Sequence, residues 1–139
     1  MIAVLALLGT LVVWKVAGPP ERLKEHEVEL STIMSEWGGE VVWVDARKRA
    51  EWERNGMPDS VLINTDSGED LDTLVAESLH ILAPADRLVV YCGTAGCETS
   101  LQVARILREE YLAGVGPKCY ALYGGVQTLI DAGLISGSK

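Results

Sequence analysis

The sequence predicts an α/β fold with a mostly parallel sheet covered by helices on both sides. Two observations predict it. Short apolar runs, the first three rich in β-branched residues, recur at 41–44 (VVWV), 61–63 (VLI), 88–91 (LVVY) and 119–122 (CYAL); continuous runs of this kind suit strands buried on both faces. Segments with apolar residues at helical spacing lie between them, and strands alternating with helices build βαβ units. The 139 residues leave room for one such domain.

The first element is the leader MIAVLALLGTLVVWKVAG, residues 1–18, whose only charge is Lys15 and which ends at Pro19-Pro20. Eighteen helical residues reach roughly 27 Å, close to the hydrocarbon thickness of a bilayer. Trp14 and Lys15 suit its interface. A secretory signal would carry a basic n-region, and Pro19 would hinder cleavage after Gly18. A buried core helix would be striped rather than apolar all round. The leader therefore reads as a single-pass N-terminal membrane anchor. Lys15, Arg22 and Lys24 are mixed with glutamates and leave the side of the membrane open. Residues 19–27 read as a juxtamembrane linker, with His26 a solvated residue in it, and 28–139 as the folded domain.

Ser31 or Thr32 is placed to cap a short helix through Glu36, stopped by Gly38-Gly39. The strand at 41–44 runs into Asp45-Ala46-Arg47 and a charged helix, KRAEWERN. After the strand at 61–63, Leu71, Leu74, Val75, Leu79 and Leu82 form one helical stripe over 70–82, with His80 half-buried near its end. The strand at 88–91 delivers Cys92. A helix is expected over 99–112, a last strand at 119–122 with Cys119 in the core, and a final helix opened by Gly124-Gly125 and ending near Gly133. Trp37, Trp43 and Trp52 read as core or domain-edge aromatics.

Sites in such sheets form at the carboxyl ends of strands. Asp45 and Arg47, Cys92 with its loop, and Tyr123 to Gly125 fall there. In the loop CGTAGCETS the small residues Gly93, Thr94, Ala95 and Gly96 allow successive N–H groups to turn inward as a nest for an anion. A following helix start favours a thiolate on Cys92, which makes Cys92 the candidate nucleophile. Gly93, Thr94, Ala95, Gly96, Glu98 and Thr99 form the candidate substrate-binding loop. Cys97 lies near enough in sequence for its Cα to come within roughly 7 Å of that of Cys92, the limit for a disulfide. It is a candidate resolving thiol, or else a small residue packed at the helix start. Ser100 reads as a helix cap in preference to a partner of sulfur. Asp45 and Arg47 read as a structural pair supporting the loops. Nothing supplies a four-ligand zinc site, and no cofactor is implied. A net charge of −8 argues against nucleic acid and anionic-lipid surfaces. One domain contains one complete site, so no oligomer is required.

Four stretches, in order and at family-like separations over 27–134, make this chain resemble a rhodanese-like domain. They are VWVDAR at 42–47; EW at 51–52 with GMPDSV at 56–61; VVYC at 89–92; and YALYGGVQ at 120–127. The resemblance implies a three-layer α/β/α sandwich. It also implies that Cys92 accepts sulfur as a persulfide from a small donor or a persulfide-carrying protein and passes it to a thiol acceptor. Two departures bear on this. Gly56 stands where the family usually has a histidine of largely structural role. Cys97-Glu98 stands where an arginine is common, and no basic residue lies between Cys92 and Ala104. That disfavours thiosulfate as donor. It also disfavours the related phosphatase chemistry, which needs a guanidinium on the phosphoryl oxygens. Two further readings stay open: a thiol redox protein cycling a Cys92–Cys97 disulfide, and a non-catalytic binding module of the same fold.

Overall fold

The structure is a computed structural model that describes residues 23–94 and 97–137. The expected anchor over 1–18 lies outside the described residues. Among the described residues, no helix is long and apolar enough to cross a membrane.

The sheet has five strands: β1 (Glu27–Val28), β2 (Val42–Asp45), β3 (Val61–Leu62), β4 (Arg87–Tyr91) and β5 (Lys118–Leu122). Their spatial order is β1-β5-β4-β2-β3, and every pairing is parallel. The apolar run of β4 thus occupies the centre, where Leu88, Val89, Val90 and Tyr91 are fully buried. Among the described residues, five α-helices cover the sheet: α1 (Leu30–Ser35), α2 (Arg49–Asn55), α3 (Leu71–Leu82), α4 (Thr99–Ile106) and α5 (Gly125–Asp131).

Alternation along the strands feeds two cores. Val44, Leu88, Val90 and Cys92 point to one, where Val75 and Leu82 of α3 and Val103 and Ala104 of α4 pack on them. Trp43, Val89 and Tyr91 point to the other, which includes Ile33 of α1 and Val126 and Leu129 of α5. The expected parallel sheet with helices on both sides is the fold observed.

Several local expectations are corrected. β1 falls at the end of the expected linker: Glu27 and Val28 pair with Ala121 and Leu122. His26 makes the turn into this edge strand with φ 70°, and its carbonyl accepts the N–H of Ala121. Two residues of edge strand leave no periodicity to read. α1 begins at Leu30, with no side chain capping it, so neither Ser31 nor Thr32 is its cap. Gly38 and Gly39 do end this segment in left-handed conformation, and Gly39 N–H returns to the carbonyl of Ile33.

On α3, Leu79 is 44 % exposed while Leu74, Val75 and Leu82 are buried. At 3.6 residues per turn Leu79 lies about 80° round from Leu71, at the edge of the buried stripe, and His80 lies about 180° round. His80 is accordingly exposed, not half-buried. The helix expected over 99–112 is α-helical only to Ile106. A π-helical turn follows at Leu107–Tyr111, closed by Leu112 N–H on the carbonyl of Leu107.

Candidate active site

The register of β2 and β4 sets the floor of the site. Asp45 lies opposite Tyr91 at the carboxyl ends of the two strands. The Tyr91 hydroxyl donates to Asp45 Oδ2 at 2.8 Å and accepts the Met57 N–H at 2.9 Å. Arg47 is folded back over the same carboxylate: Nη2 is 2.8 Å from Oδ2 and Nε is 3.0 Å from Oδ1. Its Nη1 donates to Asn55 Oδ1 and its Nη2 also to the Glu51 carbonyl. Asn64, buried beside them, donates to the Arg47 carbonyl and accepts Asp66 N–H.

This network is closed on itself. Burial works to lower the Arg47 pKa, but the hydrogen bond and charge of Asp45 outweigh it and hold the guanidinium charged. Burial, with the Asp45 charge beside it, pushes the Tyr91 phenol well above its usual range, so it stays a neutral donor. The expected Asp45–Arg47 pair is therefore present, and Arg47's donors are directed inward rather than offered to a substrate. Tyr91, Asn55 and Asn64 were missed in the sequence. Tyr91 counted there only as one apolar residue of a strand, and nothing in the spacing of Asn55 or Asn64 marks them.

Above this floor, β4 runs directly into Cys92, which is 3 % exposed. Its carbonyl accepts Val126 N–H at 2.8 Å, tying the loop to the first turn of α5. The double glycine allows this approach. Gly125 has φ 67°, and a Cβ there would stand 2.7 Å from the Thr94 carbonyl oxygen.

Cys97 is half-buried against the same core. Its Cα is 6.6 Å from that of Cys92, and the two sulfurs are joined in a disulfide. Cys97 N–H donates to the Thr94 carbonyl, and Cys97 Sγ accepts the N–H of Thr99, the first residue of α4, at 3.3 Å. The atoms described around Cys92 Sγ are instead carbonyl oxygens, of Thr94 and Cys97, each at 3.8 Å. Of the helix start that was expected to serve the Cys92 sulfur, the Thr99 N–H goes to Cys97. Ala95 and Gly96 lie outside the described residues. Ser100 is buried in the first turn of α4, but no side chain caps the helix, so its expected capping role is corrected too.

The sulfurs open on a cleft of about 290 Å³ lined by Cys92, Gly93, Cys97 and Thr99 on the loop side and by Arg47, Lys48, Glu51, Asn64 and Asp66 opposite. Thr94 is exposed beside it. Glu98 points away, onto a neighbouring groove, where its carboxylate pairs with Lys24 Nζ at 3.2 Å. The acidity that a donor meets in the cleft therefore comes from Glu51 and Asp66. Cys119 is remote from the cleft, buried in β5; burial pushes its thiol up to about 11, against a smaller opposing effect of Arg108.

Residues 29–132 match the sequence family described as "Rhodanese-like domain". No curated protein matches the chain. Among solved structures, the BH2092 protein of Bacillus halodurans aligns with 18 % identity and a TM-score of 0.55, over 81 % of this chain and 77 % of that one. A thiosulfate sulfurtransferase of Pseudomonas aeruginosa aligns with 21 % identity and a TM-score of 0.53, over 80 % of this chain and 19 % of that much longer one. A protein of Lactobacillus plantarum aligns with 20 % identity and a TM-score of 0.51, over 86 % and 93 %. At these identities the solved structures show a shared fold.

Proposed function

The chain belongs to the rhodanese-like family, and on that premise we propose that it is a sulfurtransferase whose Cys92 carries sulfur as a persulfide. The observation that carries this reading is the placement of Cys92, at the carboxyl end of the central strand and on the wall of an open cleft. The Cys92 thiolate attacks the outer sulfur of a donor. A sulfur–sulfur bond forms on Cys92, and the donor's remaining group leaves with the bonding pair. An acceptor thiol later takes the outer sulfur.

The donor is a persulfide or another species of low charge, rather than thiosulfate. Arg47 is spent on Asp45 and Asn55. Lys48, the other cation on the cleft wall, shares it with Glu51 and Asp66.

Intact-mass measurement tests the reading. Incubation with cysteine persulfide adds about 32 Da, one sulfur atom, to a reduced chain in which Cys97 is replaced by serine. The gain disappears in Cys92→Ser, whose far-ultraviolet circular dichroism shows that it has folded. No gain with Cys92 intact sinks the proposal. The paired sulfurs favour one second reading, a thiol redox protein that cycles Cys92 and Cys97 between dithiol and disulfide without carrying sulfur. Such a protein shows no sulfur adduct in either variant.

A further inference from the structure

We propose that Cys97 resolves the Cys92 persulfide within the loop, so that the domain releases sulfide and closes to the Cys92–Cys97 disulfide. This rests on the sulfur-transfer reading above and adds the fate of the carried sulfur. The sulfur that Cys97 reaches is Cys92 Sγ, the inner atom of the persulfide. A Cα separation of 6.6 Å lies within the disulfide range, and the structure holds the two sulfurs bonded in this backbone arrangement. The two cysteines thus already lie within reach of one another.

The surroundings of the two sulfurs are unequal in the direction this step requires. Cys97 Sγ receives the Thr99 N–H at the amino end of α4, a helix that continues into the π-helical turn. A donor and a positive dipole end both favour a thiolate there. Cys92 Sγ faces the Thr94 and Cys97 carbonyls. Among the described contacts, the backbone donor therefore lies on the attacking sulfur. The Arg47 guanidinium on the cleft wall is already paired with Asp45.

The step balances as thiol–disulfide exchange. The Cys97 thiolate attacks Cys92 Sγ, and the Sγ–Sγ bond forms. The bond from Cys92 Sγ to the outer sulfur breaks, and that sulfur, protonated in the neutral persulfide, leaves as HS⁻ with the electron pair. The carried sulfur is reduced and the two thiols are oxidised. An external dithiol reduces the disulfide before the next cycle. Sulfide would leave through the cleft, which is open to solvent beside both cysteines.

Time-resolved intact mass of the full chain tests this, using the reduced protein, cysteine persulfide at one equivalent, and no other thiol. Wild type is expected to gain about 32 Da transiently, then settle about 2 Da below its starting mass with Cys97 no longer alkylatable and one equivalent of sulfide released. Cys97→Ser and Cys97→Ala are expected to hold the added sulfur at least tenfold longer. A wild type that keeps the sulfur while Cys97 stays alkylatable overturns the resolving role and leaves sulfur transfer to Cys92 standing. Cys97 variants that take up no sulfur, or that take the donor's whole cysteine instead, overturn both.

Discussion

Asp45 is the residue on which most of the buried polar floor depends. Its carboxylate meets the Arg47 guanidinium, the Arg47 backbone N–H and the Tyr91 hydroxyl, and it is fully buried. Removing one partner of a buried ion pair leaves an uncompensated charge, at a cost of about 3–5 kcal/mol. Asp45→Ala is therefore expected to lower the urea-unfolding free energy by about that amount, a large share of the stability of a domain this size. Tyr91→Phe leaves the Met57 N–H and one carboxylate oxygen short of a partner and is expected to cost about 1–3 kcal/mol. Equal unfolding midpoints for wild type and Asp45→Ala would refute the structural role. The sequence displayed Asp45 and Arg47 two residues apart at a strand end, which suffices to suggest a pair. It gave no sign that the pair uses up the guanidinium, because Asn55 and the Glu51 carbonyl reach it only through the fold of α2.

The decisive element is the start of α5. Gly124 and Gly125 hold φ 93° and 67°, a conformation that side chains rarely adopt. Gly125 also packs against the carbonyls of Thr94 and Cys92, and Val126 N–H bonds the latter. Gly125→Ala is expected to cost about 1–3 kcal/mol from backbone strain alone, and more from displacing Thr94. Because Thr94 also accepts the Cys97 N–H, the same change should slow closure of the Cys92–Cys97 disulfide under mild oxidant at least tenfold. Peptide mapping over time measures this; an unchanged closure rate would show that α5 does not position the loop. The sequence pointed to the glycine pair as a helix opener. Its contact with a loop thirty residues earlier exists only because β4 and β5 are neighbours in the sheet.

For the molecule as a whole, a net charge of −8 and a cleft bordered by Glu51 and Asp66 oppose an anionic donor before any contact is made. Repulsion of this kind is screened by salt. The second-order rate of Cys92 sulfuration by thiosulfate, measured in Cys97→Ser, is expected to rise severalfold between about 10 mM and 0.5 M ionic strength. The rate with cysteine persulfide should change little. A thiosulfate rate that falls with salt would mean that a cation draws the donor in, and would return Lys48 to a direct binding role.

Local pattern alone determined the alternation of strands and helices, the placement of Cys92 at a strand end, and the burial of Cys119. Each depends on short-range spacing and on apolar residues that must leave water, so each is written in the chain. The tertiary structure decided which sulfur receives the helix N–H, where the Arg47 guanidinium points, and which carboxylates face the cleft. It also decided that Glu27 and Val28 form a strand. These outcomes follow from partners distant in sequence: Glu98 turns to Lys24, Thr99 turns to Cys97, and Glu27 finds Ala121 across the sheet edge. A hydrogen-bond donor, a charge or a strand edge has its effect only where its partner is brought, and packing of the two cores against the sheet sets that position.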